Sequence, residues 1–162
     1  IKALKARFPS VRQEVHLMLS DPGQHLDAMI KAGADEITVH LEIDQDVPAL
    51  LRAIRAAGKR AGLSIKPKTD IARILPCLSL CDIVLLMTVE PGFGGQKIIL
   101  STLDKLAQLR AAGFSGTLSA DGGITWDNCA EITRLGATRI VMGTAAFQAE
   151  DPKAVFSRCH RA

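Results

Sequence analysis

Several features that define whole classes of protein are scarce in this sequence. Aromatic residues make up 4% of it, and its 20 lysines and arginines are spread out without a basic run, which argues against a nucleic-acid partner. Apolar runs stay below the roughly 18 residues that a membrane-spanning helix needs, so we expect no membrane span. A signal peptide is not visible either, and we expect a cytoplasmic protein.

Cysteine is present, but not in combinations that build a metal site. Cys77 and Cys81 lie within one helical turn, whereas Cys129 and Cys159 stand apart, so a second pair that could complete a zinc site is missing. We interpret the four as buried or incidental thiols in a reducing compartment. The modest net charge of +3 suits a small anionic substrate.

What the sequence does contain is an alternation of short apolar runs and longer amphipathic segments. Its 162 residues, 48% of them hydrophobic, are enough for a single domain over residues 1–162. The pattern predicts strands at 14–19, 36–40, 61–65, 83–88, 117–120 and 139–142. It predicts helices at 22–32, 47–57, 71–78, 101–112, 126–135 and 152–160. A repeated strand and helix predicts an α/β fold with a parallel sheet.

Unusual residues follow nearly every predicted strand, and their distribution distinguishes two α/β architectures. A doubly wound sheet concentrates its ligand site at one switch point. A (β/α)₈ barrel gathers all its strand ends around one mouth, and this distribution therefore favours the barrel. The residues are His16, His40, Lys66, 88–95, 121–123, Gly143 and Thr144.

Glycine clusters on three consecutive strand ends predict a phosphate site, because glycine lets backbone N–H groups approach an anion closely. In barrels the phosphate site is formed by the loops after the last two strands and a short extra helix, here residues 145–147. The predicted site residues are Gly92, Phe93, Gly94, Gly95, Gly122, Gly123, Gly143 and Thr144.

His16 and Asp121 each end a predicted strand and would meet across a barrel mouth. A histidine with a carboxylate is a usual ligand set for zinc or iron, although each residue alone also has an ordinary structural explanation. We interpret His40 and Glu42 as structural residues. The side chain of Lys66 could bind phosphate or form an ion pair with an acidic loop residue, and the sequence does not decide between these two roles. His25 and His160 are interpreted as surface residues.

Longer motifs resemble those of the ribulose-phosphate 3-epimerase family, in matching order and spacing from about residue 12 to the C-terminus. The most specific is Met87-Thr88-Val89-Glu90-Pro91-Gly92-Phe93-Gly94-Gly95-Gln96-Lys97. The others are His16-Leu17-Met18, Ile37-Thr38-Val39-His40-Leu41-Glu42, Lys66-Pro67-Lys68-Thr69, Asp121-Gly122-Gly123-Ile124 and Gly143-Thr144.

The resemblance implies a TIM barrel that interconverts ribulose 5-phosphate and xylulose 5-phosphate by metal-assisted proton transfer at C3. In the family, two histidines and two aspartates hold one divalent metal ion, and here zinc, iron(II), manganese or cobalt would suit. Carried over, His16 is a metal ligand that also neighbours substrate. Asp121 is a metal ligand, a substrate contact and the catalytic proton donor. Met18 and Met87 would line the cavity, and the expected partner is a small phosphorylated ketose.

The sequence also departs from the family pattern. The family's first two βα units, with a His-x-Asp strand that supplies one metal histidine and the other catalytic aspartate, have no match. We therefore expect a barrel truncated at its N-terminus, with strands three to eight present and residues 1–9 forming a helix tail. Glu14, Ser119 and Thr144 replace the family's usual residues. An epimerase of a six-carbon ketose phosphate such as allulose 6-phosphate, or an inactive phosphate-binding remnant, stays open. We also expect a homo-oligomer.

Overall fold

A computed structural model describes residues 1–154 of the chain. These residues form one sheet of six strands, in which each strand pairs in parallel with the next along the sequence. The strands are β1 (Glu14–Leu17), β2 (Glu36–His40), β3 (Arg60–Ile65), β4 (Ile83–Met87), β5 (Thr117–Asp121) and β6 (Arg139–Val141). The six predicted strands are confirmed, with ends that differ by at most two residues.

Helical segments connect the strands. The α-helices are α1 (Lys2–Arg7), α2 (Leu26–Lys31), α3 (Val47–Ala56), α4 (Asp104–Ala111), α5 (Trp126–Arg134) and α6 (Thr144–Phe147), and short 3₁₀ segments are Gly23–His25, Ile71–Arg73, Leu75–Leu80 and Leu100–Thr102. The predicted helix at 71–78 is therefore two 3₁₀ segments. Pro76 at the start of the second segment has no N–H to donate. The helix predicted at 152–160 lies largely outside the described residues.

The outer face of the sheet packs against these helices and forms the apolar core. Side chains that alternate along the strands point outward and are fully buried, as are the inward-facing positions of α3 and α4. They are Ile37, Val39, Leu63, Ile65, Val84, Leu86, Leu118, Leu51, Ile54, Leu106 and Leu109.

The inner face of the sheet carries many polar and charged side chains, and contacts across it show that the sheet is curled. Arg139 on β6 donates to Glu14 on β1 over 2.7 Å, although these strands stand at opposite edges of the strand order. At the other end of the strands, His16 on β1 lies 3.9 Å from Asp121 on β5. A curled, six-stranded parallel sheet with helices outside is thus confirmed. None of the helices in residues 1–154 combines the length and apolar character of a membrane span.

Candidate active site

The carboxyl ends of the strands surround a cavity of about 1250 Å³. Eleven of the twelve residues that the sequence predicts for the site line this cavity. The twelfth, His16, lies next to Asp121, which is one of the lining residues. The lining residues are Met18, Met87, Gly92, Phe93, Gly94, Gly95, Asp121, Gly122, Gly123, Gly143 and Thr144. The structure therefore brings the predicted site residues together at one mouth.

The loops after β4, β5 and β6 pack closely against one another along one wall of this cavity. A Cβ atom on Gly123, whose φ is +63°, would lie 2.4 Å from the backbone nitrogen of Ile98 in the loop after β4. A Cβ atom on Gly94 would lie 3.3 Å from Oγ1 of Thr144, after β6. Glycine is required at position 123 because both the backbone angle and the close approach of the loops exclude a side chain.

Asp121, the last residue of β5, faces the cavity with its side chain 27% exposed. The backbone N–H of Thr88 donates to the carbonyl of Asp121 over 2.8 Å, and its hydroxyl donates to the same oxygen over 3.0 Å. Burial, with a smaller contribution from the negative charge of Glu14, raises the pKa of the Asp121 carboxyl. A partly buried carboxyl with a raised pKa is suited to exchange protons with a bound molecule.

His16, on the inner face of β1, makes two contacts with polar side chains. Its Nδ1 lies 3.9 Å from Oδ2 of Asp121, and its Nε2 lies 2.9 Å from Nε2 of His40. The two imidazole rings are nearly parallel, with 4.8 Å between their centroids. Burial and, secondarily, His40 lower the pKa of His16 to about 4, so this imidazole is neutral at pH 7.

His40 and Glu42 extend this cluster away from the cavity. Nδ1 of His40 lies 3.3 Å from Oε2 of Glu42, and the backbone N–H of Lys66 donates to Oε1 over 2.8 Å. The interpretation of His40 and Glu42 as structural is therefore incomplete, because His40 contacts a predicted site residue directly. Lys66 contributes its backbone here. His25 is exposed, as predicted, and His160 lies outside the described residues.

His16 and Asp121 offer two neighbouring donors to a metal ion. A tetrahedral ion with bonds of about 2.1 Å keeps its ligand atoms about 3.4 Å apart, and 3.9 Å between Nδ1 and Oδ2 is close to that spacing. Residues 1–154 hold no group of three or more His, Cys, Asp or Glu side chains that could bind a metal. The two donors would therefore fit one side of such an ion, as two of its four ligands.

Other residues line the cavity that the sequence analysis did not single out. They include Trp126 and Asn128 in the first turn of α5, with Val141 at the end of β6. The backbone N–H of Thr125 donates to the side chain of Asn128 over 2.9 Å in a capping box. The Thr-x-x-Asn spacing, which begins two residues after Gly123, was the available signal for this helix start.

Comparison with known proteins decides the family. The model of the "Ribulose-phosphate 3 epimerase family" matches residues 1–147. The chain belongs to this family. A ribulose-phosphate 3-epimerase from Treponema pallidum is 40% identical over 138 residues, which cover 83% of this chain and 63% of that protein. One from Eremothecium gossypii is 35% identical, covering 92% and 62%.

The chain thus spans less than two thirds of the length of these epimerases.

Solved structures extend the likeness to the fold. A 3-hexulose-6-phosphate synthase from Salmonella typhimurium has a TM-score of 0.80 at 24% identity, covering 99% of this chain and 76% of the synthase. A 3-keto-L-gulonate-6-phosphate decarboxylase from Vibrio cholerae has a TM-score of 0.73 at 19% identity, covering 99% and 77%. At these identities the likeness concerns the fold alone.

Proposed function

We propose that the protein containing this chain interconverts D-ribulose 5-phosphate and D-xylulose 5-phosphate by proton transfer at C3. The observation that carries the proposal is the position of Asp121, a partly buried carboxyl with a raised pKa at the mouth of a cavity with glycine-rich walls. Family membership supports the same reaction. Because the chain spans 63% of the T. pallidum epimerase, the activity is proposed for the whole protein.

In this proposal Asp121 is one of two acid/base groups and donates a proton to one face of C3. A C–H bond next to a carbonyl is a weak acid, so its proton moves only when a positioned base and a charge-stabilising group act together. The family's other aspartate lies in a motif that has no counterpart among the described residues. The reaction consequently needs a second group from elsewhere in the protein.

The glycine loops would bind the phosphate of the substrate. Gly122, Gly123, Gly143 and Thr144 stand where barrels of this kind form their phosphate site, and backbone N–H groups without side chains can surround an anion closely. The Gly92–Gly95 loop would close over the sugar, with Phe93 at its tip 85% exposed. Met18, Met87 and His16 would contact the carbon chain.

One divalent ion, zinc, iron(II), manganese or cobalt, would be held on one side by His16 and Asp121. When bound, such an ion supplies positive charge against the negative charge that develops on the substrate oxygens as the C3 proton leaves. The geometry supports two of the ligands, with 3.9 Å between their nearest donor atoms. The finer predictions of a closed eight-stranded barrel, a homo-oligomer, a cytoplasmic location and a place in pentose phosphate metabolism stay predictions.

The test is epimerase activity of the protein expressed from its natural gene. Ribulose 5-phosphate is supplied before and after chelation and with each of the four metals restored, and xylulose 5-phosphate is measured. We expect metal-dependent turnover that Asp121→Asn lowers by about 10²- to 10⁴-fold, the usual contribution of a general acid or base. Asp104→Asn, the same change at an exposed position on α4, is the matched control and should keep full activity.

Two outcomes would replace the proposal. Turnover of allulose 6-phosphate in place of ribulose 5-phosphate, measured in parallel, would assign a six-carbon ketose phosphate as the substrate. Phosphate binding without turnover of either sugar, from a folded protein with any of the metals, would identify an inactive phosphate-binding protein. Full activity of Asp121→Asn would remove Asp121 from the mechanism while leaving the reaction in place.

A further inference from the structure

A largely buried carboxylate stands at the far end of the chain of contacts that runs through His40 to His16, the neighbour of Asp121. Glu42 is 13% exposed, and Oε1 accepts from the backbone N–H of Lys66 over 2.8 Å and from the hydroxyl of Thr69. Its other oxygen, Oε2, lies 3.3 Å from Nδ1 of His40. Burial acts to raise the pKa of this carboxyl, but the hydrogen bonds from His40, Lys66 and Thr69 outweigh it and hold the pKa at about 2.

The segment that carries these donors is itself anchored. Nζ of Lys105 on α4 donates to the carbonyl oxygens of Pro67 and Thr69, each over 2.6 Å. These bonds tie the loop after β3 to the helix that follows β4. The N–H and O–H groups that face Oε1 of Glu42 are therefore fixed in place, and so is the orientation of the carboxylate.

The charge on Glu42 determines which ring nitrogen of His40 carries a hydrogen. An ionised carboxylate only accepts hydrogen bonds, so the hydrogen between Oε2 and His40 belongs to Nδ1. With one hydrogen on the ring, the other nitrogen of His40, Nε2, is then a bare acceptor. That nitrogen lies 2.9 Å from Nε2 of His16.

The single N–H of His16 can occupy one of two positions. On Nε2 it donates to the bare Nε2 of His40 over 2.9 Å. On Nδ1 it would face Oδ2 of Asp121 at 3.9 Å, beyond hydrogen-bonding distance, and the contact with His40 would then need a second hydrogen on His40. The first arrangement makes both close contacts, Glu42 with His40 and His40 with His16, using one hydrogen on each ring, and leaves Nδ1 of His16 bare.

We propose that Glu42 is a positioning residue, which acts through His40 to place the hydrogen of His16 on Nε2 and to turn its bare Nδ1 toward Asp121. This rests on the proposed function, in which His16 and Asp121 are metal ligands. A histidine can bind a cation only through a bare nitrogen, and the hydrogen bond made by its other nitrogen selects which one is bare. His40 and Glu42 thus have a role at the site without contacting the substrate.

Glu42→Gln is a sharp test because the surroundings of Glu42 fix how the amide would lie. The donors from Lys66 and Thr69 require the amide oxygen at the Oε1 position, which puts the amide NH₂ opposite Nδ1 of His40. Nδ1 of His40 must then accept, its hydrogen moves to Nε2, and Nε2 of His16 becomes the acceptor. The variant should therefore place the hydrogen of His16 on Nδ1.

The measurement is a long-range ¹H–¹⁵N spectrum of the histidine side chains at pH 7, on the metal-free protein expressed from its natural gene. We expect a protonated Nε2 and a bare Nδ1 on His16 in the wild type, and the reverse in Glu42→Gln. Zinc affinity, measured by competition with a chelating dye, should fall by about 10- to 100-fold. Glu131→Gln, the same change at a 58% exposed position on α5, is the control and should alter neither.

A hydrogen on Nδ1 of His16 in the wild type would overturn the inference by itself, whether or not Glu42→Gln folds. An unchanged tautomer in a folded Glu42→Gln variant would do the same. The spectra need no turnover, so they separate this inference from the proposed function. If the tautomers are as expected but the protein has no epimerase activity, the inference stands and the proposed function is refuted. If the protein is an active epimerase but His16 carries its hydrogen on Nδ1, the proposed function stands and the inference is refuted.

Discussion

Arg139→Met should destabilise the fold from the end of the sheet opposite the candidate site. The Arg139 guanidinium on β6 donates to Glu14 over 2.7 Å and to Glu36 over 2.5 Å, and so joins β6 to the first two strands. Glu36 is 1% exposed and also pairs with Arg60. Methionine keeps much of the apolar length of arginine but removes the charge and its donors.

The magnitude follows from what Glu36 retains. Removing one partner of a buried ion pair costs about 3–5 kcal/mol, because it leaves a buried charge uncompensated. Arg60 and the more exposed Arg12, 3.4 Å from Glu36, stay in place and supply part of that compensation. We therefore expect the low end of the range, a loss of about 3 kcal/mol in the free energy of unfolding. For a domain of this size that corresponds to a fall of about 6–12 °C in Tm.

The assay is urea unfolding of wild type and variant at several pH values. Arg134→Met on α5, whose guanidinium is 73% exposed and 3.9 Å from Glu131, is the matched control and should cost less than about 0.5 kcal/mol. Burial acts to raise the pKa of Glu36, but the hydrogen bonds and charges of Arg139 and Arg60 together outweigh it, so the folded-state pKa is lowered. That contribution is present above the unfolded-state pKa and is lost as the pH falls through the folded-state pKa.

The difference between wild type and Arg139→Met should accordingly narrow on acidification from about pH 7 toward pH 4, because a glutamate protonated in the variant no longer needs its partner. A loss below about 1 kcal/mol at pH 7 would refute the reasoning about the buried pair. A difference that stays constant with pH would refute the assignment of the effect to the charge on Glu36.

Three further predictions concern other parts of the fold. Burial raises the pKa of the Cys81 thiol to about 12, so this thiol should resist Ellman's reagent at pH 8 until the protein unfolds, and rapid labelling located by mass spectrometry would contradict this. Gly123→Ala should lower the free energy of unfolding by about 1–3 kcal/mol, because its Cβ would meet the backbone of Ile98. Gly143→Ala, with open space around the Cβ position, should leave the Tm in a thermal unfolding experiment nearly unchanged. Lys105→Met should speed hydrogen exchange of the Lys66 amide by loosening its loop, and an unchanged rate would contradict that anchoring.

The order and type of the elements could be predicted because each strand and helix has a local signal. Apolar runs marked the strands to within two residues, and most helical patterns had the expected period. The prediction at 71–78 was wrong in detail because Pro76 removes a donor and the chain forms two 3₁₀ segments. The number of strands in the sheet is not a local property, and residues 1–154 form six.

The composition of the candidate site was also predictable, since residues at the carboxyl ends of parallel strands meet at one mouth. Its hydrogen bonding was not. The contact between His16 and His40 depends on the register of β1 against β2 and on the curl of the sheet, which no spacing within either strand reveals. A histidine followed two residues later by a glutamate, as in His40-Leu41-Glu42, has many structural explanations when it is considered alone.

The side chains on the inner face of the sheet explain what the apolar pattern of the strands did not reveal. Parallel strands covered on both faces normally carry unbroken apolar runs, and β4 fits that pattern. On the other strands several inward positions hold charged or polar groups, and the curl of the sheet brings many of these groups within reach of one another. Glu14, Glu36, Arg60 and Arg139 form one such group at one end. A second group, His16, His40, Glu42 and Asp121, lies at the other end, where His16 and Asp121 stay 3.9 Å apart.

The two groups differ in how their members pair. The first group pairs opposite charges and stabilises the fold. The second leaves a nitrogen and a carboxylate facing each other without a hydrogen bond, an arrangement that a cation or a substrate proton can use.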